Sequence, residues 1–272
     1  LAQQLLKLSA WHRKEQRIIA EFLATNKVDI IISDNRPSIK SKLIPSYYIT
    51  HQLEVKSGLF TPFSTLGHEW LYKDYDAIWI PDVQGRPNLS GDLGHKSKLE
   101  KVKFIGPLSD LIPVESTNTF DAALILSGPE PQRSIFELLV IAQLANCDLN
   151  VLLIRGTTKN LEIDIPKTWQ MIDLATRADV QMAFEKSKVI VARSGYSTLM
   201  DLYAFNKPAV LVPTPGQPEQ EYLATLPLHQ HNFSIQSQKN LNVLEGLRQA
   251  EIAFADFKAV AFERNWDKLL RF

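Results

Sequence analysis

Hydrophobic residues in this chain fall into two spacings. Short unbroken runs rich in β-branched residues occur at 28–32, 46–50, 77–80, 102–105, 122–126, 150–154, 188–192 and 209–212. Runs of that length suit strands buried on both faces of a parallel sheet. Between them lie segments whose apolar positions recur every three to four residues, which predicts helices. These are 1–24 (Leu1, Leu5, Leu8, Trp11, Ile18, Ile19, Phe22), 67–73, 133–146, 177–185 and the stretch from Tyr196. A last one, from Phe254 to Leu270, carries Phe257, Val260, Ala261, Phe262, Trp266 and Leu269. Residues 88–98 read as a Gly- and Ser-rich loop, and the stretch before about Thr176 has little pattern.

Strand, loop and helix alternate in two blocks. They are separated by 111–119, which has Pro, Ser and Thr but no periodicity and reads as a linker. The pattern predicts an α/β chain of two Rossmann-like, doubly wound domains facing a cleft, over 1–110 and 120–253, with 254–272 as a closing helix. Such a domain usually begins on a strand. This chain opens on a helix at Leu1, so the amino-terminal domain is expected to be incomplete as given.

Charge and composition narrow the function. Of 272 residues, 45% are hydrophobic, and 30 Lys plus Arg balance 30 Asp plus Glu. That balance gives no support to a nucleic-acid partner, which normally demands a basic excess. The single cysteine, Cys147, lies on a helical pattern and reads as a small apolar residue. No signal peptide or membrane-spanning run is visible. The expected location is cytoplasmic, with peripheral association at the inner face of a membrane left open.

Most polar clusters fall at strand exits, where open α/β sheets bind ligands. Ser127-Gly128-Pro129-Glu130-Pro131-Gln132-Arg133 links a strand to a helix, whose start could face a diphosphate; an ordinary turn is the bland alternative. Arg193-Ser194-Gly195 precedes a helix on which Asp201 could accept ribose hydroxyls or merely favour the helix dipole. Gly216, Gln217, Glu219 and Gln220 lie on a proline-stiffened loop with groups suited to sugar hydroxyls. Asp34 and His51 end neighbouring strands and are the acid/base candidates. His68 and His95 are weaker ones. No His, Cys or carboxylate spacing suggests a metal, and no G-x-S-x-G elbow suggests a hydrolase.

The run Arg193-Ser194-Gly195-Tyr196-Ser197-Thr198 through Asp201, then Pro208 and Pro213 to Ala224, resembles the carboxyl-terminal domain of glycosyltransferase family 28. That family includes the peptidoglycan enzyme that adds N-acetylglucosamine to a lipid-linked sugar. A group of bacterial glycosyltransferase-like proteins is more similar still. It shares the Ser127–Arg133 loop, the Ser33-Asp34-Asn35-Arg36 turn and the His51-Gln52-Leu53 turn. The resemblance implies a GT-B fold, with the last helix crossing back to the first domain. It implies transfer of a sugar from a nucleotide diphosphate, UDP-linked, with inversion and without a metal or other cofactor. The acceptor would be a glycan or a lipid-linked sugar. It puts ribose on Asp201, diphosphate on Ser127, Gly128, Arg193, Ser194 and Gly195, and the donor sugar on Gly216, Gln217, Glu219 and Gln220; Arg133 is counted with the donor-binding residues. The family's first strand and glycine-rich loop, which often carries a catalytic His, have no counterpart. Pro37-Ser38 stands where the family tends to an aromatic residue and Gly. Rival readings are an epimerase or hydrolase of nucleotide sugars, a non-catalytic UDP-sugar binder, and a structural scaffold.

Overall fold

A computed structural model describes residues 2–53, 72, 74–96, 99–159 and 164–261. The described chain divides into two compact units. The first holds residues up to Arg86 with Ser90–Gly106, and the second Pro87–Leu89 with Pro107–Ala261.

Unit 1 begins with helix α1 (Ala2–Thr25). Its sheet is wholly parallel, ordered β1 (Ile31–Asp34), β2 (Ser46–Ile49), β3 (Ala77–Ile80), β4 (Val102–Phe104). The central strand β3 is buried at every position, as a strand covered on both faces must be. Tyr48, Tyr72, Tyr75, Ile78 and Ile80 form its core. Burial, followed by the Asp34 charge, raises the Tyr48 phenol to about 12. The loop expected over 88–98 contains a four-residue helix, α2 (Asp92–His95). The helix expected over 67–73 and the candidate His68 lie outside the described residues.

Unit 2 is a six-stranded parallel sheet with helices between strands. Its elements are β5 (Phe120–Ile125), α3 (Gln132–Leu144), β6 (Val151–Ile154), β7 (Gln170–Ile172), α4 (Arg177–Lys186), β8 (Ser187–Ala192), α5 (Tyr196–Phe205) and β9 (Ala209–Leu211). Then follow α6 (Pro218–Thr225), α7 (Pro227–Asn232), β10 (Ser234–Ile235) and α8 (Val243–Phe254). The strand order is β10-β9-β8-β5-β6-β7. Alternate residues face opposite sides of a strand. Ala122, Leu124, Val189 and Val191 pack with Phe136 and Val140 of α3 and with Val243 and Ala250 of α8. Ala123 and Ile190, between them in sequence, are equally buried on the other face.

The carboxyl-terminal helix is a correction. A helix expected to start at Phe254 instead ends there, and residues 255–261 are not helical. Asn242 caps α8 by accepting from the Glu245 amide at 3.1 Å, which fixes the start of this helix at Val243. The rest of the expected helix lies outside the described residues. No helix among them is long and apolar enough to cross a membrane.

Candidate functional site

In unit 2 the chain runs outward from β5 through β6 to β7, then returns to lay β8 against the other side of β5. The order reverses between β5 and β8. Such a reversal is where open α/β sheets bind ligands, at the carboxyl ends of the strands. The exits of β5, β8 and β9 are the three motifs picked out from sequence. They converge: a Cβ added to Gly128 would lie 3.9 Å from Thr214 Oγ1.

Charged side chains at these exits turn into the protein. Arg193 is 1% exposed and stacks on the Phe136 ring, its guanidinium carbon 4.2 Å from the centroid. Its Nη1 donates to the carbonyls of Val212 and Pro213, both at 3.3 Å. Nη2 donates to the Gln132 carbonyl at 2.8 Å and Gln238 Oε1 at 2.7 Å. Burial alone lowers its pKa to about 10. Arg133 is also buried. It donates to Glu130 and Glu137, to the Arg155 carbonyl and to Ser134 Oγ. Arg193 was expected at the diphosphate and Arg133 among the donor-binding residues. Instead they tie β5, β6, β8, β9 and α3 together, because a buried guanidinium must spend its donors on protein acceptors. Arg193 Nε alone has none, and neither has Thr214 Oγ1.

Three helices start at this edge, and they differ. Glu130 sits over the start of α3, its Oε2 accepting from the Ser134 amide at 3.2 Å. Ser134, then Arg133, holds the Glu130 carboxyl down at about 2. The α6 loop is bonded to itself: Thr214 N donates to Gln220 Oε1 and Gly216 N to Glu221 Oε1, both at 2.9 Å. Gln220 Nε2 bonds Gln217 Oε1 at 2.8 Å. Glu219 is half-buried in the first turn of α6. Only α5 starts, at Gly195, with no side chain capping it and no acid in its first turn. Space beside Gly195 is open, with nothing within 4 Å of an added Cβ. The helix positive pole is thus already offset at α3 and α6 but open at α5.

The other expected donor residues are placed as follows. Ser127 and Gly128 are exposed on the β5 exit, Gly128 with φ +104°. Ser194 is buried and donates to the Gln220 carbonyl at 3.1 Å. Gly216 is exposed with φ +76°. Asp201 accepts from Ser109 Oγ at 2.6 Å and from both Arg177 Nη atoms at 2.9 and 2.7 Å. Ribose hydroxyls would have to displace Arg177. Sequence reading missed that Arg177–Ser109 pair, and no local motif announces it.

In unit 1, Asp34 ends β1 in register with Ile49, the last residue of β2, and His51 follows two residues later. Around Asp34 the turn is structural. Asn35 takes a left-handed φ of 55°, and Ser33 Oγ donates to the Arg36 carbonyl at 2.6 Å. Arg36 pairs with the buried Glu15 of α1. His95 Nε2 lies 3.3 Å from Oδ2 of the fully buried Asp82.

Residues 131–250 match the sequence profile of the glycosyltransferase family 28 C-terminal domain. Among solved structures, the calicheamicin glycosyltransferase CalG4 is similar at TM-score 0.61 and 14% identity, over 93% of this chain and 76% of that one. MurG of Acinetobacter baumannii is similar at TM-score 0.54 and 14% identity, over 89% and 71%. Spinosyn rhamnosyltransferase SpnG, complexed with thymidine diphosphate, is similar at 0.54 and 12%, over 94% and 73%. A search of curated proteins returns no match.

Proposed function

We propose that the chain is a GT-B glycosyltransferase whose second domain is of the family 28 kind, and that it moves a sugar from a nucleotide diphosphate, UDP-linked, to a hydroxyl acceptor. The single observation that carries the donor assignment is the uncapped start of α5 at the switch point of the unit 2 sheet. Main-chain amides at a helix start and the positive pole of the helix dipole suit a diphosphate, whose charge grows as the glycosidic bond breaks. Gly195 and its open flank allow phosphate oxygens close to the backbone. Ser127 and Gly128 would cover the same anion from the β5 exit. Asp201 would take the ribose once Arg177 has swung aside, and Arg177 would then be free to meet a phosphate.

Transfer with inversion and without a metal, a glycan or lipid-linked acceptor, and action in the cytoplasm at the inner face of a membrane belong to the same proposal. Unit 1 would supply the acceptor side, with His51 and Asp34 at strand exits as bases to test.

The deciding experiment is calorimetric titration of the full chain with UDP, beside Asp201→Ala. Binding to the parent and at least a tenfold loss in the variant are expected. A folded parent that binds no nucleotide would sink the reading.

A further inference from the structure

The exits of β3 and β4 in unit 1 hold a polar cluster that the sequence did not assemble. Asp82 is 0% exposed. Its carboxylate receives the amides of Val83 and Ser90 at 2.8 Å each, the Ser90 hydroxyl, and His95 Nε2 at 3.3 Å. With donors on both oxygens, the carboxylate acts as acceptor, and His95 Nε2 is the ring nitrogen that donates to it. In the neutral imidazole this tautomer leaves the lone pair on Nδ1. Among the described residues Nδ1 has no hydrogen-bond partner.

The imidazole is also fixed in place. Its ring stacks on Phe104 at 4.6 Å, with 25° between planes. The Asp82 carbonyl accepts from the Gly106 amide at 3.0 Å, locking the β4 exit to the β3 exit. The Leu53 amide donates to the Leu93 carbonyl at 2.8 Å, joining this turn to the one that carries His51. Gly94 is squeezed between them. An added Cβ would stand 2.5 Å from Ser90 Oγ and 3.3 Å from the His51 carbonyl. The His95 side chain keeps 18% exposure. Ser90 is buried and bonds the carboxylate rather than the imidazole, so the order of a nucleophilic Ser-His-Asp triad is absent.

We propose that His95 is the general base of the transfer and that Asp82 is its positioning residue. The inference rests on the glycosyltransferase reading above. The acceptor oxygen attacks the anomeric carbon, and the bond from that carbon to the diphosphate oxygen breaks. The electron pair leaves with the nucleoside diphosphate, and the hydroxyl proton passes to Nδ1 of His95. Asp82 then faces an imidazolium, whose charge it stabilises. His51 and Asp34 share the same sheet edge and are the bases against which His95 is tested.

The test uses the purified full chain, a panel of UDP-sugars and UDP release, with water and simple sugars as acceptors. In His95→Gln the amide nitrogen can keep the bond to Asp82 but cannot take a proton. The expected result is an unchanged thermal midpoint and UDP affinity, unchanged KM for the donor, and kcat down about 100-fold or more. Asp82→Asn should lower kcat in the same direction, and His51→Ala much less. Parent-like turnover in His95→Gln, or a loss confined to His51→Ala, would overturn the assignment. So would a parent that binds UDP yet releases it from no UDP-sugar, an outcome that leaves the donor site standing. Absence of UDP binding would instead refute the donor site itself. Should His95→Gln not fold, imidazole nitrogen shifts of the parent decide. A free, unprotonated Nδ1 supports the base, and a protonated Nδ1 overturns it.

Discussion

At the carboxyl edge of the unit 2 sheet the arginines are turned inward, and the start of α5 presents main chain. At the corresponding edge of unit 1, ionisable side chains do the facing, with Asp34, His51 and His95 on successive exits. The contrast matches two tasks. Binding a diphosphate needs fixed dipoles that cost no reorganisation, and main-chain amides at a helix start supply them. Moving a proton needs a group that changes charge, which backbone cannot do. Arg193 and Arg133 would serve the first task indirectly, by fixing the loops on which the amides sit.

Removing Arg193 should break this contrast most severely. Arg193→Met would leave the carbonyls of Val212, Pro213 and Gln132 and Gln238 Oε1 without their donor. A loss of about 3 kcal/mol in urea unfolding is expected, with UDP binding lost as a consequence. Parent-like stability with weaker UDP binding would instead make Arg193 a ligand group.

A buried lysine gives a smaller effect, away from the candidate site. Lys207 is 4% exposed, its Nζ bonds Ser116 Oγ, and burial lowers its pKa to about 8. The unfolded chain therefore holds more protons than the folded one between pH 8 and the ordinary lysine pKa, so stability rises with pH in that window. Relative to Lys207→Met, the parent should gain about 1 kcal/mol from pH 8 to 9.5. A flat difference would show the amine reaching water.

Two glycines sharpen the comparison with the least disturbance. Gly195 has φ −71° and open space, so Gly195→Ala should alter stability by under about 0.5 kcal/mol yet weaken UDP binding tenfold or more. At Gly128, φ +104° strains any side chain, so Gly128→Ala should cost about 1–2 kcal/mol as well as binding. Equal UDP affinity in the parent and Gly195→Ala would remove the α5 start from the site.

Runs such as Ala77–Ile80 and Lys188–Ala192 disclosed the parallel sheets because buried strands carry no polar alternation. β7 (Gln170–Ile172) escaped notice since its residues are exposed or half-buried, as an edge strand permits. Asn242 and Glu245 carry the spacing of a cap for α8, a signal that sequence reading passed over. Within the site, exits and glycines were legible, but the direction of each side chain was not. The spacing of Arg133 and Glu137 already suits a helical ion pair, whereas Asp82 and His95 meet only after a turn thirteen residues along folds back.

Each unit also buries an indole. Trp79 is 1% exposed in unit 1 and stacks on Tyr47 at 4.7 Å, while Trp169 is 6% exposed in unit 2. Neither Nε1 has a hydrogen-bond partner. Both chromophores therefore sit in weakly polar surroundings where emission is shifted to the blue, and each reports on a different half of the molecule. With the other three tryptophans, Trp11, Trp70 and Trp266, and one of this pair replaced, the remaining indole becomes an optical probe of the melting of its own half.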